Sequence, residues 1–108
     1  MENFDEIVKE LNELKIKCVS CDWEDNLPKE LFNKYFEGKY KTLKTGLEPD
    51  KHRWYEATVT VIKFHERNLG IKHVTKLYSE SGDVADCFVN MVFFEMEEFT
   101  TISYKAKK

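Results

Sequence analysis

The sequence predicts an α+β domain in which two N-terminal helices pack on one face of an antiparallel meander sheet of three to five strands. Two changes of period carry this expectation. Apolar residues recur three and four apart before residue 40, and two apart from residue 54 onward. The length of 108 residues sets the rest, because it accommodates one hydrophobic core and so a single domain, 1–108.

The first helix is expected over residues 4–14, where Phe4, Ile7, Val8, Leu11 and Leu14 form one stripe. Asn3 stands at the N-cap with Glu6 three residues on, the spacing of a capping box. Residues 15–20 alternate charged and apolar over their first four positions and read as a short edge strand with its lysines outward. A second helix follows from Pro28, with Leu31, Phe32, Tyr35 and Phe36 on one face and Gly38 at its end. Residues 40–50 show no clean period, contain Gly46 and Pro49, and read as a connection.

From residue 54 the chain reads as sheet. In residues 54–64, Tyr55, Ala57, Val59 and Val61 alternate with Glu56, Thr58 and Thr60, as in a half-buried strand. Asn68 and Gly70 mark a reversal, residues 71–78 form the next strand, and residues 79–83 the next turn. Residues 84–96 are apolar on both faces and are expected to form a long central strand, and residues 99–105 continue the meander.

Composition narrows the function classes. A net charge of -3 is too mild for a mimic of a nucleic-acid backbone and has the wrong sign for direct nucleic-acid binding. The acidity is uneven: 12 acids oppose 8 bases through Asp50, and 8 oppose 9 thereafter. Three cysteines without a signal-peptide pattern set the expectation of reduced thiols and a cytoplasmic location, and no stretch has the length of a membrane-spanning helix.

Four groups of residues could carry chemistry. Cys18 and Cys21 form a CxxC that, with Cys87 and one of His52, His65 or His73, would complete a tetrahedral zinc site if the chain turns between them; otherwise they are inert thiols. Arg53, Trp54 and Tyr55, beside His52 and Glu56, could stack a nucleotide and hold its phosphate, or else divide between core and surface. His65 with Glu66, and Asp86 with Cys87, are adjacent pairs whose side chains diverge in a strand. The densest carboxylates, Asp22, Glu24 and Asp25 with Glu95, Glu97 and Glu98, could meet a basic groove on a partner, the alternative being a solvated face. Neither GxSxG, HExxH, a P-loop nor a dinucleotide fingerprint occurs, so no enzyme and no cofactor is expected.

The segments at residues 52–56, 69–71, 78–80, 86–87, 95–98 and 101–104 together resemble small proteins of bacteriophages and mobile elements of low-GC bacteria. What the resemblance implies is a genomic setting: such proteins are similar in kind to inhibitors of bacterial defence, anti-CRISPR proteins among them. It implies a non-enzymatic protein whose partner is a host protein such as a CRISPR effector nuclease, and it assigns no residue a role.

Overall fold

A computed structural model describes residues 3–78 and 84–96, without the side chain of Asp86. Three helices precede a four-stranded antiparallel sheet in the order β1-β2-β3-β4, an open meander. The elements are α1 (Phe4–Glu13), α2 (Trp23–Asn26), α3 (Lys29–Tyr35), β1 (Tyr40–Lys51), β2 (Tyr55–Phe64), β3 (Arg67–Leu77) and β4 (Val92–Glu95). A 3-10 turn occupies Val84–Cys87. The α+β class and the meander are as the sequence predicts.

Helix α1 begins with the expected capping box. The Glu6 amide donates to Asn3 Oδ1 at 2.9 Å, and the Asn3 amide donates to Glu6 Oε1 at 3.3 Å. Its stripe of Phe4, Ile7 and Leu11 is buried. The helix is then locked to the sheet by a side chain that imitates a peptide group: Asn12 Nδ2 donates to the Phe93 carbonyl and the Phe93 amide donates back to Asn12 Oδ1, both at 2.8 Å. Strand β4 thus gains a ladder partner on its open side from a helix.

Helix α3 ends where Gly38 takes φ +69°, a left-handed conformation that glycine adopts without a Cβ penalty. A row of rings ties the helical layer to the sheet. Trp23 meets Phe36 edge-on at 5.2 Å, Phe36 lies 4.8 Å from Phe64 of β2, and Phe64 lies 6.3 Å from Phe4. Trp23 is therefore a core residue, 3% exposed, on a short helix of its own.

Five expectations need correction. Residues 40–50 are not a connection but most of the longest strand, β1, whose register with β2 slips three times between Thr42 and Asp50. These bulges, with Gly46 at φ +71° and Pro49, are features of an edge strand, and they erase the period that would have revealed it. Residues 15–20 make only a single bridge, Lys17 to Asn90, flanked by Cys18 N–H to Val89 O and Met91 N–H to Ile16 O. The reversal after β2 is not at Asn68 and Gly70 but at His65 and Glu66, both at positive φ in a two-residue hairpin of the type I′ kind.

Gly70 lies within β3, where an added Cβ would come 2.8 Å from both Phe94 and Met96 side-chain atoms. Residues 84–96 do not form one long central strand: a 3-10 turn comes first, and the short β4 lies at the sheet's edge. Their apolar character comes from burial of Val84 and Met91 in the loop as well as Phe93 in the strand. Finally, β2 is buried on both faces from Ala57 to Ile62 rather than on alternate residues. The expected turn at residues 79–83 and strand at residues 99–105 lie outside the described residues.

Candidate functional site

The largest concentration of chemically capable side chains surrounds a cleft of about 380 Å³ between the segment that carries α2 and the faces of β1, β2 and β3. Cys21, Asp22 and Glu24 form one wall, and Thr42, Thr45, Thr60, His73 and Thr75 form the floor. The strands supply the floor because Thr58 and Thr60 share a face of β2 with Ile62 and Phe64, and Thr60 and Thr58 stand opposite Ile71 and His73.

The wall is positioned by Asn26. Its Oδ1 accepts from the amides of Val19 and Ser20, each at 2.8 Å, and its Nδ2 donates to Met91 Sδ at 3.4 Å. One buried amide thus turns the chain between Cys18 and Cys21 without the glycine or proline that such a turn usually employs. Glu24 is fixed by Tyr40, whose hydroxyl donates to Oε2 at 3.0 Å. Burial first, and then this carboxylate, push the Tyr40 phenol up to about 12.

At the floor, His73 is 3% exposed. Its Nδ1 lies 3.2 Å from the Val74 carbonyl, which can only accept, so Nδ1 carries the proton; Nε2 then accepts from Thr60 Oγ1 at 3.0 Å. Burial holds the imidazole below its ordinary pKa. A hydrogen bond to Val74 and the charges of Glu24 and Asp22 oppose the shift without reversing it. A second hydroxyl pair, Thr58 donating to Thr75 at 3.1 Å, completes the floor.

A hydroxyl donating to an oriented imidazole has the connectivity of an activated nucleophile, but Thr60 is itself almost fully buried. The thiols are set against reactivity. Burial raises the Cys18 pKa most, a backbone hydrogen bond from Val74 opposes this, and Cys21 and Cys87 add to the rise. Cys21 is raised by burial, then by Asp22 and Cys87. The three thiols feel one another, yet among the described residues no group of three His, Cys, Asp or Glu side chains is placed to hold a metal ion.

The remaining sequence candidates disperse. Asp25 is exposed on α2 beside Glu24. Glu95 is not part of this cluster: Arg67 grips it in a two-pronged pair at 2.7 and 2.9 Å, which lowers its pKa, and also approaches Asp5 at 3.8 Å. Glu97 and Glu98 lie outside the described residues. Arg53, Trp54 and Tyr55 sit where β1 passes into β2 and pair with one another or with their near neighbours. The Arg53 guanidinium lies 4.8 Å over the Trp54 ring, and His52 stacks on Tyr55 at 4.5 Å while bonding Asp50 at 3.1 Å. Trp54 remains 55% exposed, and none of the three lines the cleft.

One surface residue left no trace in the sequence. Phe88, expected inside a long strand, follows the 3-10 turn at φ +55°, a conformation costly for a bulky side chain, and is 78% exposed. Lys17 Nζ lies 4.6 Å over its ring. The register of the Lys17–Asn90 bridge brings the exposed Val19 level with Phe88, and Cys21 of the cleft lies within electrostatic reach of the adjacent Cys87. The cleft and the exposed ring are therefore neighbours. No helix among the described residues is long and apolar enough to cross a membrane. Compared with known proteins, the chain matches no family model, no curated protein and no solved structure.

Proposed function

We propose that this chain is a non-enzymatic phage or mobile-element protein that binds and inhibits a host protein, an effector nuclease of the CRISPR type being the partner of choice. The observation that carries the reading is the joining of a carboxylate-rimmed cleft, with Asp22, Glu24 and the adjacent Asp25, to an apolar anchor formed by Phe88 and Val19. Protein–protein interfaces concentrate their energy in such a pairing of an exposed aromatic with a charged rim. The carboxylates complement the basic channel through which a nuclease passes nucleic acid, and the hydroxyl floor offers acceptors to an arginine or lysine that enters. The raised thiol pKa values of Cys18 and Cys21 and the enclosed Thr60–His73 pair support a binding rather than a catalytic role. The resemblance of the sheet region to small phage proteins favours the same setting.

The test is target-DNA cleavage by purified RNA-guided nucleases from low-GC bacteria, with the protein added at stoichiometric amounts. Inhibition is expected. The triple reversal Asp22→Lys, Glu24→Lys, Asp25→Lys should slow association about tenfold or more, and raising salt from about 50 to about 500 mM should weaken the wild type more than the variant. Phe88→Asp should speed dissociation by a factor on the order of ten to one hundred. Full cleavage throughout, or binding indifferent to all four residues, would sink the proposal.

A further inference from the structure

A second concavity, of about 390 Å³, opens where the α3–β1 connection meets the β2–β3 hairpin. Gly38, Lys39, Tyr40, Lys41, Lys63, His65 and Glu66 line it. We infer that this concavity is a binding site for phosphate groups, independent of the acidic cleft.

The inference starts from the pairing of β1 with β2. Lys41 and Lys63 are directly opposite across that ladder, where like charges destabilise a sheet. Their neighbours on either side, Tyr40 opposite Phe64 and Thr42 opposite Ile62, belong to the face that meets the helices and the cleft, so the two lysines project from the other face. Lys39 joins them, its Nζ donating to the Lys34 carbonyl at 3.3 Å. None of Lys39, Lys41 and Lys63 makes an ion pair with another described residue. Three lysines therefore line a hollow whose wall carries one carboxylate, Glu66. An oxyanion between the strands would turn the repulsion of the lysine pair into a shared attraction.

The hairpin adds a second argument. A two-residue turn with both φ values positive favours asparagine and glycine, yet here it is His65 at φ +56° and Glu66 at φ +63°. The strained pair places both His65 and Glu66 on the wall of the concavity, where the imidazole supplies a further donor to an oxyanion. The half-buried Tyr40 also lines the hollow, while its hydroxyl donates to Glu24. The lysines and the imidazole are the groups that address the phosphate.

The experiment uses the full chain. Phosphate should raise the thermal midpoint above that in chloride at equal ionic strength, by about 5 °C at ten times its dissociation constant. It should also shift the amide resonances of Gly38, Lys41, Lys63 and Glu66. The exposed double variant Lys41→Gln, Lys63→Gln should lose both responses and, at low salt without phosphate, melt higher than the wild type because the repulsion is gone. Two further arms separate the sources. A single-stranded oligonucleotide bound at least tenfold more tightly than pyrophosphate assigns the site to a nucleic-acid backbone, and the reverse order assigns it to a small phosphorylated compound. Equal midpoints in phosphate and chloride, or an unchanged response in the double variant, would overturn the inference.

Discussion

Strands β1 and β2 are bonded to each other over their whole length, yet they are opposite kinds of strand. β2 has partners on both sides and buries every residue from Ala57 to Ile62, whereas β1 has a partner on one side only and is exposed at nearly every position. β2 is a run of β-branched residues in perfect register with β3 from Ala57 to Phe64; β1 carries three register slips, a left-handed glycine, a proline and four lysines, counting Lys39 just before it. The central strand is specified by burial, and the edge strand by devices that keep a further strand from adding to it. The two concavities proposed as binding surfaces both use β1, the strand that packing constrains least.

The largest effect that would test this contrast is truncation within the two strands. Ile62→Ala removes a fully buried side chain and should cost about 2–5 kcal/mol in urea unfolding, while Leu43→Ala on β1 should stay within about 0.5 kcal/mol. Comparable costs at the two positions would mean that β1 is buried in solution.

The glycines sharpen the contrast. Gly70→Ala is opposed by space, since its Cβ would meet Phe94 and Met96, and should cost about 1–3 kcal/mol. Gly46→Ala meets nothing within 4 Å and is opposed only by its positive φ, at about 1–2 kcal/mol. Asparagine, which tolerates the left-handed region, should be accepted at 46 and rejected at 70. Equal tolerance of asparagine at both positions would remove the distinction.

The smallest effect is that of pH. His73 of β3 sits over the joint of β2 with its partner, and its pKa in the folded protein lies below the unfolded value of about 6.5. The unfolded chain then binds the proton more readily, so stability is unaffected above that value and declines as pH falls from it through the folded pKa. His73→Gln should flatten this limb of a stability profile measured by thermal melts. The carboxylate of Glu95, lowered by Arg67, titrates in a separate and more acidic window. A profile for His73→Gln identical to wild type would show that the imidazole is solvated.

The same contrast explains what the sequence disclosed. α1 was legible because burial of one face imposes a period and the capping box at Asn3 and Glu6 is a local pattern, and β2 because burial on both faces selects a run of β-branched residues. β1 was not, because exposure on both faces leaves no period, and Gly46 and Pro49 signal a loop and an irregular edge strand alike. Asn12 and Asn26 each act through side-chain bonds to backbone, and no local spacing marks an asparagine that replaces a strand or ties a turn. Of the cleft, the acidic wall at residues 22–25 could be read off as a cluster. Its floor could not, because Thr42, Thr60, His73 and Thr75 come from three strands and meet only through register.

The bond from Tyr40 to Glu24 gives the cleft an optical reporter. Burial first, and the Glu24 carboxylate second, raise the Tyr40 phenol to about 12, so its phenolate absorbance emerges after that of an ordinary tyrosine. A cation that claimed Glu24 would remove the second of these contributions and move this late step to lower pH, burial still holding it above that of an ordinary tyrosine. Trp23, edge-on to Tyr40 at 5.3 Å, would register the same event as a change in emission, so occupancy could be followed without attaching a label.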